Sequence, residues 1–267
     1  MKKNIFFFVL LLSIFSCKQN SEESIPLDTS KIIKLPKLEN IQTYIQHPKS
    51  EDRICGNGIQ CAKKDIEKGE LVFSMPSGEG DYDLRQEKYI RILCKKHNLI
   101  FRFEMIDDAP VEEGMQGCYG AYMDNMIAKK FNSNFKQNLL NEADIMLSKS
   151  NDTIRSWDCD IKPKIEGLTS ENSIHILLNS KFKKQLVKDK IYYGAGIDIS
   201  FYIDKKGKPS GYHLDDYNRL EKNNREKYKM QFVKAGIDQL KKYQKCSAGE
   251  IKGQKVITKQ TIRTYFN

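Results

Sequence analysis

The sequence is short of the patterns that mark most catalytic sites. It holds four His, one Trp and seven Pro in 267 residues. His47, His97, His175 and His213 are scattered, and the cysteine spacings match no zinc pattern, so no metal centre is expected. There is no Gly-x-Ser-x-Gly, no Ser-x-x-Lys with partners and no His-Glu-x-x-His. Gly78-Glu79-Gly80 and Gly194-Ala195-Gly196 lack the strand–helix context of a phosphate loop and read as turns, so no cofactor is expected either. Internal repeats and low-complexity segments are missing. No nucleic-acid-binding motif is present, which excludes nucleic acid as an expected partner. The apolar run Ile5–Phe15 would span about 16 Å as a helix, roughly half a bilayer core, which is too short to cross one.

That short run is informative for another reason. Met1-Lys2-Lys3 precedes it, and Ser16, Cys17 and the polar Lys18-Gln19-Asn20 follow. A basic start, a short apolar core and a small residue at the cleavage point make a secretory signal. Ile14-Phe15-Ser16-Cys17 resembles a bacterial lipobox, although Phe15 is bulky for its position. The resemblance implies a lipoprotein: residues 1–16 are removed and Cys17 carries the diacylglycerol and palmitate that hold the protein to the bilayer. The alternative is an ordinary signal peptide with an incidental Cys. The implied location is the cell envelope of a Gram-negative-type bacterium, on the outer membrane.

The full chain carries 45 basic against 35 acidic residues, a net charge of +10, and loss of Lys2 and Lys3 leaves 43 against 35. The excess is lysine spread along the chain, as at Lys129-Lys130 and Lys181–Lys190. It reads as a solvated surface, with attraction to lipid headgroups as the alternative.

With Cys17 acylated, Cys55, Cys61, Cys94, Cys118, Cys159 and Cys246 remain. An even number in an oxidising compartment predicts disulfides. Six cysteines allow many pairings. The favoured one is local: Cys55-Gly56-Asn57-Gly58-Ile59-Gln60-Cys61 contains two glycines able to fold the loop back. Cys94 and His97 have the helical spacing of an activated thiolate, but a disulfide or core role for Cys94 is the preferred reading. His213, Asp215 and Asp216 form the densest polar cluster, read as a solvated loop rather than a cation site.

Residues 17–50 read as a polar tether. A mixed α/β region follows at 51–155, with strands at Glu70–Met75 (ended by Pro76) and Ile100–Met105 and a helix Leu84–His97 capped by Asp83. A helical stretch runs from Tyr119 to Lys149 with a break at Asn132-Ser133-Asn134. In residues 156–267 the expected elements are a helix Glu171–Lys188, a strand through Ile197, Ile199, Phe201 and Ile203, and a turn Asp204–Gly207. A returning strand Ser210–Leu214, a helix Arg225–Tyr243 and a terminal strand Val256–Phe266 complete the order. The fold class is α+β.

The second order, with its punctuation, resembles the TonB C-terminal domain. Lys162-Pro163-Lys164-Ile165-Glu166-Gly167 would be the family's Pro-rich lead-in, Gly196–Gly207 its strand and Asp-x-x-Gly turn, and Cys246-Ser247-Ala248-Gly249 the stretch before its last strand. Ile165 stands where the family has an aromatic residue, and the Trp of that last stretch is missing. The resemblance implies a helix–hairpin–helix–strand domain. It also implies a binding mode, in which an envelope protein adds an extended segment to the exposed edge Val256–Phe266, whose Lys259 and Arg263 could equally protect that edge. The expected function is a membrane-anchored protein- or peptide-binding or structural module, not an enzyme. The alternative is an exported enzyme whose reaction no motif names.

Overall fold

The first two strands of the body run parallel and are joined by a helix. This computed structural model describes residues 40–78, 84–107, 114–168, 173–189, 196–216 and 225–266, so Cys17, the signal segment and Asp83 lie outside the described residues. α1 (Ile41–Tyr44) sits within the stretch expected as tether, and its Tyr44 is buried, so the folded body reaches back to residue 40. α2 (Arg53–Glu67) follows, then β1 (Val72–Ser77), α3 (Glu87–Lys96) and β2 (Ile100–Met105), with Val72 opposite Ile100. Pro76 lies inside β1 rather than ending it. Val72, Phe73 and Ser74 are all buried, as expected of a strand covered on both faces. α4 (Cys118–Lys130) and α5 (Phe135–Lys149) flank the pair, divided at the expected Asn132–Asn134 break.

α2 overturns the local-disulfide expectation. Asp52 caps it by accepting from the Cys55 N–H at 2.9 Å. Gly56 and Gly58 are helical, at a propensity cost of about 1 kcal/mol each against Ala. Close packing explains Gly58, where an added Cβ would lie 3.1 Å from the Tyr119 backbone nitrogen. The helix carries Cys61 away from Cys55, and Cys55 instead bonds Cys118 at the start of α4.

The remaining strands form one sheet. β3 (Thr153–Arg155) precedes a 3-10 turn at Ser156–Asp158, and β4 (Ser173–Ile176) precedes α6 (Ser180–Lys188). The start of the expected helix Glu171–Lys188 lies outside the described residues; from Ser173 on it is a strand and a shorter helix, which starts at the Asn179 cap where the Asn179 side chain accepts from Phe182 N–H. β5 (Gly196–Ile203) and β6 (Pro209–Asp216) make a hairpin. Its turn is held by Asp204 Oδ1, which accepts from the N–H groups of Lys206 and Lys208 at 2.8 Å each. α7 (Arg225–Leu240) packs Tyr228, Phe232 and Leu240 onto β5. β7 (Gly249–Ile251) turns into β8 (Gln254–Phe266) through Lys252 and Gly253, both at positive φ as a two-residue hairpin turn requires.

β8 is a central strand, not the expected edge. β5 pairs antiparallel along one side of it, from Thr258 to Tyr265. A strand has two edges, so β3, at Ile257–Lys259, and β4, at Arg263–Phe266, must lie on the other; both run parallel to β8. The outer strand of the sheet path beside β5 is β6.

Residues 40–267 cluster as one compact unit. Two hydrophobic cores lie along β8. Ile262 and Phe266 belong to the core with α6, α7 and β5, and Val256 to the core with β1, α3 and α5. Between them, the buried side of β8 carries Thr258 and Gln260. Among the described residues no helix is long and apolar enough to cross a membrane.

Candidate functional site

Among the described residues the parallel side of β8 is paired in two pieces. β3 covers the strand up to Lys259 and β4 resumes at Arg263. Gln260, Thr261 and Ile262 therefore pair with β5 alone among the described strands. Backbone N–H and C=O groups alternate in direction along a strand, so part of this window faces away from β5, on the side where no described strand pairs with it.

A groove of about 460 Å³ lies at the window, lined by Ser156, Trp157, the stretch Ile161–Ile165, Leu168, Gln260 and Thr261. Its outer wall is pinned to the β7 end of the chain. Asp160 N–H and Ile161 N–H donate to Glu250 O, Glu250 N–H returns to Ile161 O at 2.9 Å, Ser247 N–H donates to Lys164 O at 2.8 Å, and Glu166 N–H to Lys245 O at 2.9 Å. Ser247 Oγ also accepts from Lys164 N–H at 2.9 Å. These bonds hold an irregular segment in one shape.

Trp157, the one tryptophan of the chain, stands at the lip and is 57% exposed. The Arg155 guanidinium lies 5.4 Å from its ring centroid, and Arg155 Nε donates to Asp158 at 2.7 Å, which braces the turn. At the floor, Gln260 is only 5% exposed, and its side-chain oxygen has no hydrogen-bond partner among the described residues. A buried amide oxygen without a donor costs roughly 1–3 kcal/mol. Neither Trp157 nor Gln260 was anticipated. The usable signals were a lone Trp in a polar stretch and a Gln at an inward position of an alternating strand.

The predicted site residues are placed as follows. Cys55 and Cys118 are joined, while Cys61 is exposed and free, Cys246 half-buried and free, and Cys94 and Cys159 buried and free. Burial pushes the Cys94 thiol up to about 12 and the Cys159 thiol up to about 11, so both stay protonated at neutral pH. His97 packs edge-on against Phe131 and Phe135. His213 Nδ1 lies 2.8 Å from Gly211 O, and Asp215 pairs with Lys259 at 2.9 Å. Arg263 pairs with Asp198 at 2.7 Å, so Lys259 and Arg263 cross-link the sheet's outer face instead of guarding an edge. No group of three or more His, Cys, Asp or Glu able to hold a metal occurs among the described residues.

A second polar cluster is structural. Glu104 Oε2 accepts from Gly120 N–H at 2.9 Å and from Ser74 Oγ at 3.3 Å, which caps the start of α4 from β2. Burial raises its carboxyl above the ordinary value. Nearby, Lys136 Nζ bonds both oxygens of Asp124 and the carbonyl of Ser74.

No protein-family model, curated protein or solved structure matches the chain.

Proposed function

We propose that the chain is a lipid-anchored envelope protein whose body binds an extended peptide segment of a partner protein. The anchor is acylated Cys17, and the location is the outer membrane of a Gram-negative-type bacterium. The observation that carries the binding reading is the three-residue window in β8 beside a braced groove. An incoming segment gains backbone hydrogen bonds at the window and side-chain contacts with Trp157, Ile165 and Leu168. The order α6–β5–β6–α7–β7–β8 contains the helix–hairpin–helix–strand order of the TonB C-terminal resemblance, with the short β7 inserted before the last strand, and supports that kinship. The mode differs from the family-based expectation, because the segment would fill a gap in a central strand rather than extend an outer edge.

The single Trp makes the test direct. The full chain is titrated with a pool of random hexapeptides while tryptophan emission is followed. A saturable shift, lost when Leu168 is replaced by Lys, is the expected result. An emission spectrum unmoved at millimolar peptide rejects the reading. For the anchor, Cys17→Ala should abolish metabolic labelling by a fatty acid, and persistent labelling rejects it.

A further inference from the structure

α6 and α7 together hold eight basic residues against two acidic ones. They pack side by side. The Phe182 ring stands 5.3 Å from that of Phe232 and 5.7 Å from that of Tyr228, and Asp189 at the end of α6 accepts from Lys227 and from the Tyr228 hydroxyl. At about 100° per residue, the side of α6 opposite Phe182 and Leu186 is centred on Lys184. By the same rotation, the side of α7 opposite Tyr228 and Phe232 is centred on Met230. Lys181, Lys184 and Lys188 then form one stripe with i, i+3, i+7 spacing, and Lys227, Met230 and Lys234 repeat that spacing on α7. All six are exposed. Lys181, Lys184, Lys188 and Lys234 form no ion pair among the described residues, whereas Lys227 is paired with Asp189. Of the two acids, Asp238 lines the cleft between the helices and Glu226 stands in the first turn of α7.

The same surface exposes apolar groups. Leu177, just before α6, is 83% exposed, Met230 73% and Val187 57%. One such side chain on a surface is ordinary; three among lysines on adjoining helices are a pattern. The cleft between the helices, about 600 Å³, sets Leu177, Leu178, Phe182 and Ala235 beside Lys181 and Lys234. A soluble anion answers the ammonium groups and leaves the apolar ones in water. A nucleic-acid backbone does the same, and an apolar ligand does the reverse. The surface of an anionic bilayer answers both, with phosphates at the lysine heads and the acyl boundary beneath them. Lysine stems lie along apolar surface while their heads reach the phosphates.

Resting on the anchor reading for its location, we infer that the α6–α7 face is a docking surface for an anionic lipid bilayer. Lys181, Lys184, Lys188 and Lys234 meet the headgroups, and Leu177, Val187 and Met230 enter the boundary. An anchor at Cys17 keeps that surface at high effective concentration, which a dissolved partner does not have.

The experiment reconstitutes the full acylated chain in vesicles of phosphatidylcholine alone and of phosphatidylcholine mixed with phosphatidylglycerol. Brief acetylation of lysines, read by mass spectrometry, reports the face. Lys181, Lys184, Lys188 and Lys234 should react several-fold more slowly in the mixed vesicles, while Lys64 on α2 and Lys95 on α3, both exposed, should keep their rates. The protection should shrink at about 0.5 M salt, where screening leaves only a few ångströms of reach. Lys184→Gln with Lys188→Gln should lower the docked-to-undocked ratio about tenfold, read at Lys181 and Lys234. Leu177→Gln with Met230→Gln should lower it several-fold with every lysine in place. These side chains are exposed, so both variants keep the fold. Equal rates in the two vesicle types overturn the inference, as does equal slowing at Lys64 and Lys95. Protection unchanged by the Leu177 and Met230 replacements reduces the face to an unselective cation patch and also overturns it. Protection that grows with protein concentration in detergent alone assigns the face to contacts between copies and overturns it too. A chain that does not float with phosphatidylcholine vesicles removes the anchor reading; its docking is then read by flotation with the mixed vesicles, which keeps the two failures distinct.

Discussion

Cys55 and Cys118 are bonded across a sequence separation of 63 and fasten the first turn of α2 to the first residue of α4. Around them Tyr44, Ile45, Ile59 and Ala121 close a small third core, and Asp52 bonds Tyr44, Cys55 and Met115 in the same place. Closing so long a loop constrains the unfolded chain by about 4 kcal/mol on the chain-entropy estimate. Replacing both cysteines by Ala should lower the melting temperature markedly, and an unchanged melt would contradict the link. Alkylation of the native protein should mark Cys61 first and Cys94 and Cys159 last, because burial keeps the last two as thiols. Mass spectrometry reads the order.

Arg85 should be the most sensitive charge in the body. Its guanidinium makes two bonds of 3.1 Å to Asp144 on α5, and it also bonds Asp160 and the Asp158 carbonyl, which anchors the segment that walls the groove. Arg85→Leu leaves the largely buried Asp144 unpaired and should cost about 3 kcal/mol. The double variant with Asp144→Leu should recover part of it. Denaturant unfolding of both variants checks this, and equal stabilities of wild type and Arg85→Leu would contradict it.

Two carboxyls predict opposite responses to pH. Burial pushes Asp52 up, but the N–H groups of Cys55, Met115 and Ile54 and the Tyr44 hydroxyl outweigh it and hold the group below its ordinary 3.8. A depressed folded value contributes stability that is present above 3.8 and lost as pH falls through the lower folded value. Asp52→Asn should therefore cost about 1–2 kcal/mol at pH 7 and flatten the acid limb. Glu104 is raised above 4.5 by burial, so its contribution is present below 4.5 and lost as pH rises through the folded value. Glu104→Gln keeps an acceptor for Gly120 N–H and should leave neutral-pH stability equal or higher. Thermal melts across pH 3–8 distinguish the two, and parallel shifts would contradict the assignment.

Phe266 is buried one residue from the end of the chain, with its ring 4.7 Å from that of Phe232. The contact holds the last residue of β8 in the core with α7. Phe266→Ala should cost about 3–5 kcal/mol in denaturant unfolding. A loss below about 1 kcal/mol would mean the strand end is loose.

Local pattern was legible where it was strong. Ile100–Met105 alternates and is β2 at those bounds; the Met and aromatic stripe of Tyr119–Lys149 is α4 and α5; Ile197 to Ile203 points inward every second residue as β5. What failed depended on distant partners. Gly56 and Gly58 look like turn residues but lie inside α2, and only at Gly58 does close packing against Tyr119 call for a glycine. Ser173–Ile176 is too short to announce a strand and exists by pairing with Arg263–Phe266. The terminal segment looks like an edge because β3 and β4 come from about a hundred residues earlier in the chain, a separation no window sees. The groove shares that cause, since Trp157 and Gln260 meet only when β3 lies along β8.

Residue-resolved amide hydrogen exchange along Gln254–Phe266 tests the open window most directly. In the free protein, at least one amide among Gln260, Thr261 and Ile262 should exchange much faster than those of Ile257–Lys259 and Arg263–Phe266, and bound peptide should slow it. Uniform protection across the whole strand, unchanged by peptide, would contradict a gap in the sheet and the binding site built on it.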